Sequence, residues 1–216
     1  MAETRTAQPE PATERGRYRR DRILDAATEV FLEQGYEAAT VAEIGRRAGG
    51  SLQTLYRLFG NKEGLFRAII ESKASSVYAP LESADIVDRP PRQALYELGM
   101  RLSRLSLSRE ALMVHRIILA ESHRNPDLRR LFFEAGPGRA RDLLAAYLRR
   151  QVAAGRLRIG DCDMAAMQFL DLVKGSFALR ALLGDAPNPD DPTVEAGVSQ
   201  AVSIFLDGTA VPGSLA

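Results

Sequence analysis

The sequence predicts an all-α fold, and three observations carry that expectation. Apolar residues recur every three or four positions along most of the chain, the repeat of a helix face, and no strand pattern stands out. Capping residues stand at the heads of these stretches, at Thr40, Ser51, Asn61, Asn125 and Asp191. Glycines and prolines punctuate the intervals, at Gly49 and Gly50, Pro90 and Pro91, and Gly184.

Composition narrows the class. With 216 residues, 45% of them hydrophobic, the chain can bury a sizeable core in one or two units. No apolar run is long enough to span a membrane, and the N-terminal residues lack the apolar segment of a secretion signal. The single cysteine, Cys162, excludes an intrachain disulfide and fits a reducing cytoplasm. With only His115 and His123 beside it, a Cys/His metal site is not expected, and no cofactor is predicted. Net charge is +1, but Arg15, Arg17, Arg19, Arg20 and Arg22 crowd one short segment. Residues 1–18, rich in Pro, Thr and charge, are expected to form a disordered basic arm near phosphates, where each contact adds salt-dependent affinity.

Residues 19–60 are expected to form a three-helix unit. Ile23, Ala27, Val30 and Phe31 give the first helix its apolar stripe over residues 19–34, and Gly35 ends it. Thr40 and Glu43 form a capping box at the start of the second helix, whose Val41, Ile44 and Ala48 share one face. Arg46 and Arg47 point elsewhere, and Arg47 joins the expected DNA contacts. Gly49 and Gly50 permit a sharp turn, and Ser51 caps a third helix anchored inward by Leu55 and Phe59. Asn61 then caps a fourth helix that carries Leu65, Phe66, Ile69 and Ile70 and continues to about Val77. Such a helix would join the unit to the C-terminal half of the chain without a floppy linker.

The third helix carries polar side chains of the kinds that suit the edges of DNA bases. Gln pairs with adenine through two hydrogen bonds, Arg with guanine, and a Thr methyl touches that of thymine, which singles out Gln53, Arg57 and Thr54. The Tyr56 hydroxyl suits a phosphate, and Lys62 is expected to be free to reach another.

The block ILDAATEVFLEQGYEAATVAEIGRRAG followed by TLYRLFGNKEGLF, from Ile23 to about Ile70, strongly resembles the TetR family of transcriptional regulators. The resemblance implies an N-terminal helix-turn-helix domain joined to a C-terminal helical ligand-binding and dimerisation domain, here residues 61–216. It implies that Thr40 and Ser51 are cap and backbone-contact positions, that Gln53, Thr54 and Arg57 lie on the recognition helix, and that Tyr56 and Lys62 meet phosphate. The chain departs from the family's usual residues at Gly50, Gln53 and Leu58, so the resemblance does not extend to an operator sequence.

The C-terminal half reads as about six more helices. Pro80 to Pro91 is a boundary or loop. Leu95, Leu98, Leu102 and Leu105 define a helix over residues 92–106, and another covers residues 109–121. Asn125 and Pro126 start a short helix that Gly136, Pro137 and Gly138 are expected to break, before residues 139–154 resume. The last two helices, from Asp163 to Leu183 and from Pro192 to Leu206, are apolar on more than one face and must be covered. By the resemblance they form a homodimer's four-helix interface, with the small residues Ala166, Gly175, Ala178, Gly197 and Ala201 permitting close approach. Two recognition helices about a two-fold axis would match two half-sites of a palindromic double-stranded DNA operator. Met113, His115, Arg116, Ile117, Phe132, Phe133, Met167, Leu170 and Phe177 are candidates to line a site for a small lipophilic or aromatic effector.

No phosphate-binding glycine loop, nucleophile elbow or metal-ligand spacing occurs, which argues against an enzyme. The expected function is a sequence-specific DNA-binding regulator, a repressor released by its ligand. The alternatives are an activator of the same fold, or a helical ligand-binding scaffold without DNA binding.

Overall fold

The computed structural model describes residues 13–82 and 89–209. Among the described residues the regular elements are α-helices and one π-helical turn, and no β-sheet forms. In chain order they are α1 (Glu14–Ala38), α2 (Val41–Arg47), α3 (Leu52–Phe59), α4 (Lys62–Glu82), α5 (Pro91–Ser106), α6 (Arg109–Glu121), α7 (Pro126–Phe133), the π turn (Glu134–Gly138), α8 (Arg139–Ala153), α9 (Cys162–Leu182) and α10 (Pro192–Thr209).

The expected disordered arm is corrected at its C-terminal end. Thr13 accepts a hydrogen bond through its side chain from the Gly16 amide, at 3.3 Å, and Glu14 sits where the helix dipole favours an acid. The arginine-rich residues up to Tyr18 are therefore helical, and the rest of the expected arm, residues 1–12, lies outside the described residues. Gly35, expected to end the first helix, instead interrupts it at φ 76° and ψ 174°, and α1 continues to Ala38. α4 outruns its expected end and reaches Glu82, while residues 83–88 of the expected loop lie outside the described residues.

The chain divides into two compact units. The first comprises Met1–Ser72 and Arg116–Phe132, the second Lys73–His115 and Phe133–Ala216. In the first, Ile23, Leu24, Ala27, Val30 and Phe31 of α1 are buried, as are Ile44, Leu55, Phe59, Leu65, Phe66 and Ile69. Their spacing is the helical stripe that drives burial, since removing apolar surface from water is the dominant favourable term in folding. Phe31, Tyr36 and Phe66 meet as an aromatic trio, with ring centroids 5.5 Å apart for Phe31–Tyr36 and 5.4 Å for Tyr36–Phe66.

In the second unit, α5, α8, α9 and α10 share one core that includes Leu95, Leu98, Leu144, Tyr147, Leu148, Phe169, Leu170, Val173, Val198 and Val202. Close approach is set at Gly99 of α5, where a Cβ would fall 2.7 Å from Val198 Cγ1 and 3.5 Å from Val173 Cγ2. The capped starts follow the sequence. Asn125 Oδ1 accepts from the Leu128 amide at 2.9 Å, Asp161 Oδ1 from Asp163 and Met164 at 3.0 Å, and Asp191 Oδ1 from Thr193 at 2.8 Å.

Two features of this unit differ from expectation. The predicted break at residues 136–138 is a π turn, Glu134–Gly138, so α7 winds into α8 without a loop. Pro137 lacks an amide hydrogen and cannot make the regular helical bond, and a wider turn accommodates it. In contrast, α9 is not straight. Gly175 takes φ 48° and ψ −148°, a conformation open only to glycine without strain, and kinks the helix.

Candidate nucleic-acid interface

The turn between α2 and α3 is built from the backbone outward. The Gly50 amide donates to the Gly45 carbonyl at 3.1 Å and the Gly49 amide to the Arg46 carbonyl at 3.2 Å, the paired bonds of a Schellman closure. Gly49, at φ 61°, supplies the left-handed residue that closure requires. Gly50 has no positive φ, and a Cβ there would meet nothing within 4 Å, so the pair of glycines contains one conformational requirement. Ser51 Oγ then accepts from the Thr54 amide at 3.2 Å and lies 3.0 Å from Thr54 Oγ1, fixing the first turn of α3.

α3 is held by Leu55 and Phe59, both buried as expected. Its outer face is exposed at Gln53, Tyr56 and Arg57, with Thr54 half-buried beside them. Leu52 is exposed as well. No acidic residue lies on α3, so an approaching phosphate meets its N-terminal amides and Arg57 without local repulsion.

Two expected DNA contacts have partners inside the unit. Arg47 donates from Nε to Glu43 Oε1 at 2.8 Å and pairs with Glu33 Oε2 at 2.7 Å, so it ties α2 to α1. Lys62, expected to be free, is not. Its Nζ donates to the carbonyls of Tyr36 at 2.7 Å and Glu37 at 3.1 Å and lies 4.5 Å from the centre of the Tyr36 ring. An ammonium with these three neighbours is satisfied by the end of α1, because helix C-terminal carbonyls attract cations. Burial, with Glu63 next, holds the Tyr36 phenol well above its usual range, so it stays neutral beneath the ammonium.

Thr40 caps α2 as expected, Oγ1 accepting from the Glu43 amide at 3.2 Å. The reciprocal half of the expected box is replaced, because the Glu43 carboxylate receives Arg46 Nε at 2.8 Å and Arg47 Nε at 2.8 Å. Those hydrogen bonds, Arg46 first, lower the Glu43 pKa to about 2. Of the N-terminal arginines, Arg20 lies over the Phe59 ring at 5.9 Å and Arg22 over that of Tyr18 at 6.0 Å.

The candidate effector residues fall in both units. Arg116, Ile117 and Phe132 belong to the first, and Met113, His115, Phe133, Met167, Leu170 and Phe177 to the second. Met113, Ile117, Phe132 and Leu170 are buried, whereas Phe133 is 54% and Met167 43% exposed. Arg116 is exposed. His115 Nδ1 bonds the Ala111 carbonyl of its own helix at 2.7 Å. Phe177 packs α9 against α10, its Cε2 only 2.9 Å from where a Cβ on Gly197 would stand. Ala166 and Ala201, expected at a subunit interface, are buried within the second unit itself.

A short capped helix that presents polar side chains from a Schellman turn, on a helical unit followed by a second helical unit, defines a helix-turn-helix DNA-binding regulator. Comparison with known proteins agrees. Residues 23–69 match the family described as bacterial regulatory proteins, tetR family, and residues 93–208 match the AefR-like transcriptional repressor C-terminal domain. The chain belongs to the TetR family of transcriptional regulators, whose members are DNA-binding transcription factors and not enzymes. It is similar to the HTH-type transcriptional regulator YvkB of Bacillus subtilis (strain 168), 29% identical over 167 residues that cover 76% of this chain and 84% of that one. Among solved structures it is similar to a TetR-family regulator from Mesorhizobium loti MAFF303099, with a TM-score of 0.77, 27% identity, and coverage of 92% of this chain and 100% of the other. It is also similar to the flavonoid-responsive regulator FrrA, with a TM-score of 0.70, 31% identity, and coverage of 91% and 99%. No helix among the described residues is long and apolar enough to cross a membrane.

Proposed function

We propose that this chain is a cytoplasmic repressor that binds a palindromic operator as a homodimer and leaves it when a small lipophilic or aromatic effector binds the C-terminal domain. The exposed face of α3, with Gln53, Tyr56 and Arg57 outward over buried Leu55 and Phe59, is the observation that carries the reading. Gln53, Thr54 and Arg57 reach base edges, and Thr40, Ser51 and Tyr56 hold the backbone. Arg47 and Lys62 serve the site by fixing α2 and the start of α4 against α1.

The dimer forms through α9 and α10, the helices expected from Asp163 to Leu183 and from Pro192 to Leu206. Met164, Met167, Leu172 and Leu179 of α9, Leu183 at its C-terminal cap and Ile204 of α10 are large apolar side chains left exposed, and apolar surface of this kind marks an interaction site. The repressor assignment is supported by the AefR-like match over residues 93–208, and an aromatic effector by the likeness to FrrA, a flavonoid-responsive regulator. Met113, Leu170 and Phe177, all of the second unit, remain the proposed apolar lining, with His115 as a polar neighbour. Phe133 and Met167, being exposed, fit a surface role better.

The effector acts through α4, which runs unbroken from Lys62 to Glu82 and passes from one unit into the other between Ser72 and Lys73. Effector and DNA then favour different arrangements of that helix, with reciprocal coupling. The test is binding of the chain to the DNA upstream of its own gene, measured by fluorescence anisotropy with and without flavonoids. Specific binding that a flavonoid weakens is the expected result. Specific binding untouched by a flavonoid shown to occupy the protein would overturn the release step, and no specific binding to any upstream fragment would overturn autoregulation.

A further inference from the structure

Among the described residues, two buried side-chain oxygens have no hydrogen-bond partner, Ser103 Oγ and Tyr147 Oη, and both lie in the second unit. They are not equivalent. A serine within a helix needs only a rotation about one bond to reach the carbonyl four residues back, which for Ser103 is that of Gly99 in α5. The phenol oxygen of Tyr147 stands at the far end of a rigid ring and cannot turn to its own backbone. Whatever satisfies it must come from elsewhere.

Tyr147 is wholly buried in the core shared by α5, α8, α9 and α10, among residues such as Leu144, Leu148, Phe169, Leu170 and Val173. A phenylalanine would fill such a place without leaving a hydroxyl unpaired. Buried polar groups in folded proteins are almost always hydrogen-bonded, and one that is not costs stability. The next turn of α8 follows the rule: Gln151, equally buried, has its Oε1 engaged by Arg156 Nε at 2.6 Å. The polar group that breaks it is therefore a specific one. Burial raises the phenol pKa to about 12, so the hydroxyl stays protonated and offers a neutral donor in an apolar setting.

We propose that the Tyr147 hydroxyl is the hydrogen-bond anchor of the effector site, donating to a ketone or phenol oxygen of an otherwise apolar aromatic ligand. The inference rests on the aromatic-effector reading and adds to it the residue that selects an oxygen-bearing ring over a plain hydrocarbon. A small apolar site with one neutral polar group at depth discriminates in this way, because an analogue without the oxygen leaves the hydroxyl unpaired.

The test uses the full chain, as wild type and Tyr147→Phe, with the flavone apigenin as the probe. Affinity is read by isothermal titration calorimetry and stability by thermal unfolding without ligand. The expected result is at least ~10-fold weaker apigenin binding by Tyr147→Phe, with a Tm equal to or above that of wild type, since the substitution removes a hydroxyl the fold leaves unpaired. Equal apigenin affinity in the two proteins overturns the anchor and leaves the aromatic-effector reading intact. A lower Tm for Tyr147→Phe also overturns it, whatever the affinity, because the hydroxyl then has a partner within the fold, such as a buried water. If apigenin fails to bind the wild type, the aromatic-effector reading falls and the anchor falls with it.

Discussion

Lys62 and Tyr36 form a clasp: the lysine Nζ is 2.7 Å from the tyrosine's carbonyl oxygen and 4.5 Å from the centre of its ring. The clasp joins the first residue of α4 to the last turn of α1. Lys62→Met is expected to lower the stability of the chain to urea by about 1.5–3 kcal/mol, the range for hydrogen bonds that involve a charged group. The salt dependence of operator binding should stay as in the wild type. A salt slope reduced by about one, with stability unchanged, would return Lys62 to the phosphate-contacting residues.

Arg57 is predicted to act on choice of site. Arg57→Ala should leave stability near that of the wild type, since the side chain is exposed. It should cost about 1–3 kcal/mol of discrimination between the operator and one changed at the base it reads. Competition binding with the two duplexes measures this, and undiminished discrimination would remove Arg57 from the reading face.

The two glycines of the turn should respond in opposite senses. Gly50→Ala should stabilise the chain by about 0.4–1 kcal/mol, because the site admits a Cβ and the unfolded chain loses freedom. Gly49→Ala should destabilise it by about 1–2 kcal/mol, because an L-residue at φ 61° is strained. Urea midpoints of the two variants decide the matter.

Glu43 makes part of the stability depend on acid. Its pKa falls from 4.5 to about 2 on folding, through Arg46 and then Arg47. A carboxylate with a depressed folded pKa contributes stability that is fully present above its unfolded value and is lost as pH falls through the folded one. That contribution should thus be present above pH 4.5 and fade towards about pH 2. In Glu43→Gln, that part of the acid limb of the unfolding curve should flatten, and high salt should shrink the difference between the two proteins.

Gly99→Ala should destabilise the second unit, although alanine is the better helix former. Its Cβ would stand 2.7 Å from Val198 Cγ1, and a buried β-branched valine in a helix strongly prefers one χ1 rotamer and yields only at a cost. Overpacking of this kind costs about 1–3 kcal/mol. A thermal midpoint at or above that of the wild type would show that α10 shifts freely.

What was legible in the sequence was local. Thr40, Ser51, Asn125 and Asp191 declared helix starts because a cap bonds an amide two or three residues away. Leu55 and Phe59 declared the inner face of α3 by their spacing alone. Partnerships between distant positions were not legible: Lys62 and Tyr36 are 26 residues apart, and nothing in the spacing says that the ammonium turns to α1. Glu43 was read as a capping acid, yet two arginines compete for it and win, a charged bond being stronger than a neutral one. Residues 14–18 look disordered because Pro, Thr and charge dominate the N-terminal segment, but Thr13 and Glu14 start a helix there that Ile23 and Leu24 then anchor. Pro137 between glycines reads as a break because an α turn cannot continue through it, whereas a π turn can. The candidate effector residues stand out by type and periodicity, and neither separates a binding wall from ordinary packing. Tyr147, the buried side chain with an unmet need, does not stand out among the apolar residues of α8.

The kink at Gly175 has a consequence for the proposed pairing of two copies of this chain. A straight helix offers one continuous seam, on which a partner could slide by a turn and still find apolar contacts. α9 instead carries Met164 and Met167 on one side of the bend and Leu179 on the other, with Leu183 at its cap. In the proposed dimer a partner aligned on this seam would place its own bend opposite this one, so the break in the helix would serve as an alignment mark. Pairing out of step by one turn would leave one half of the seam facing water.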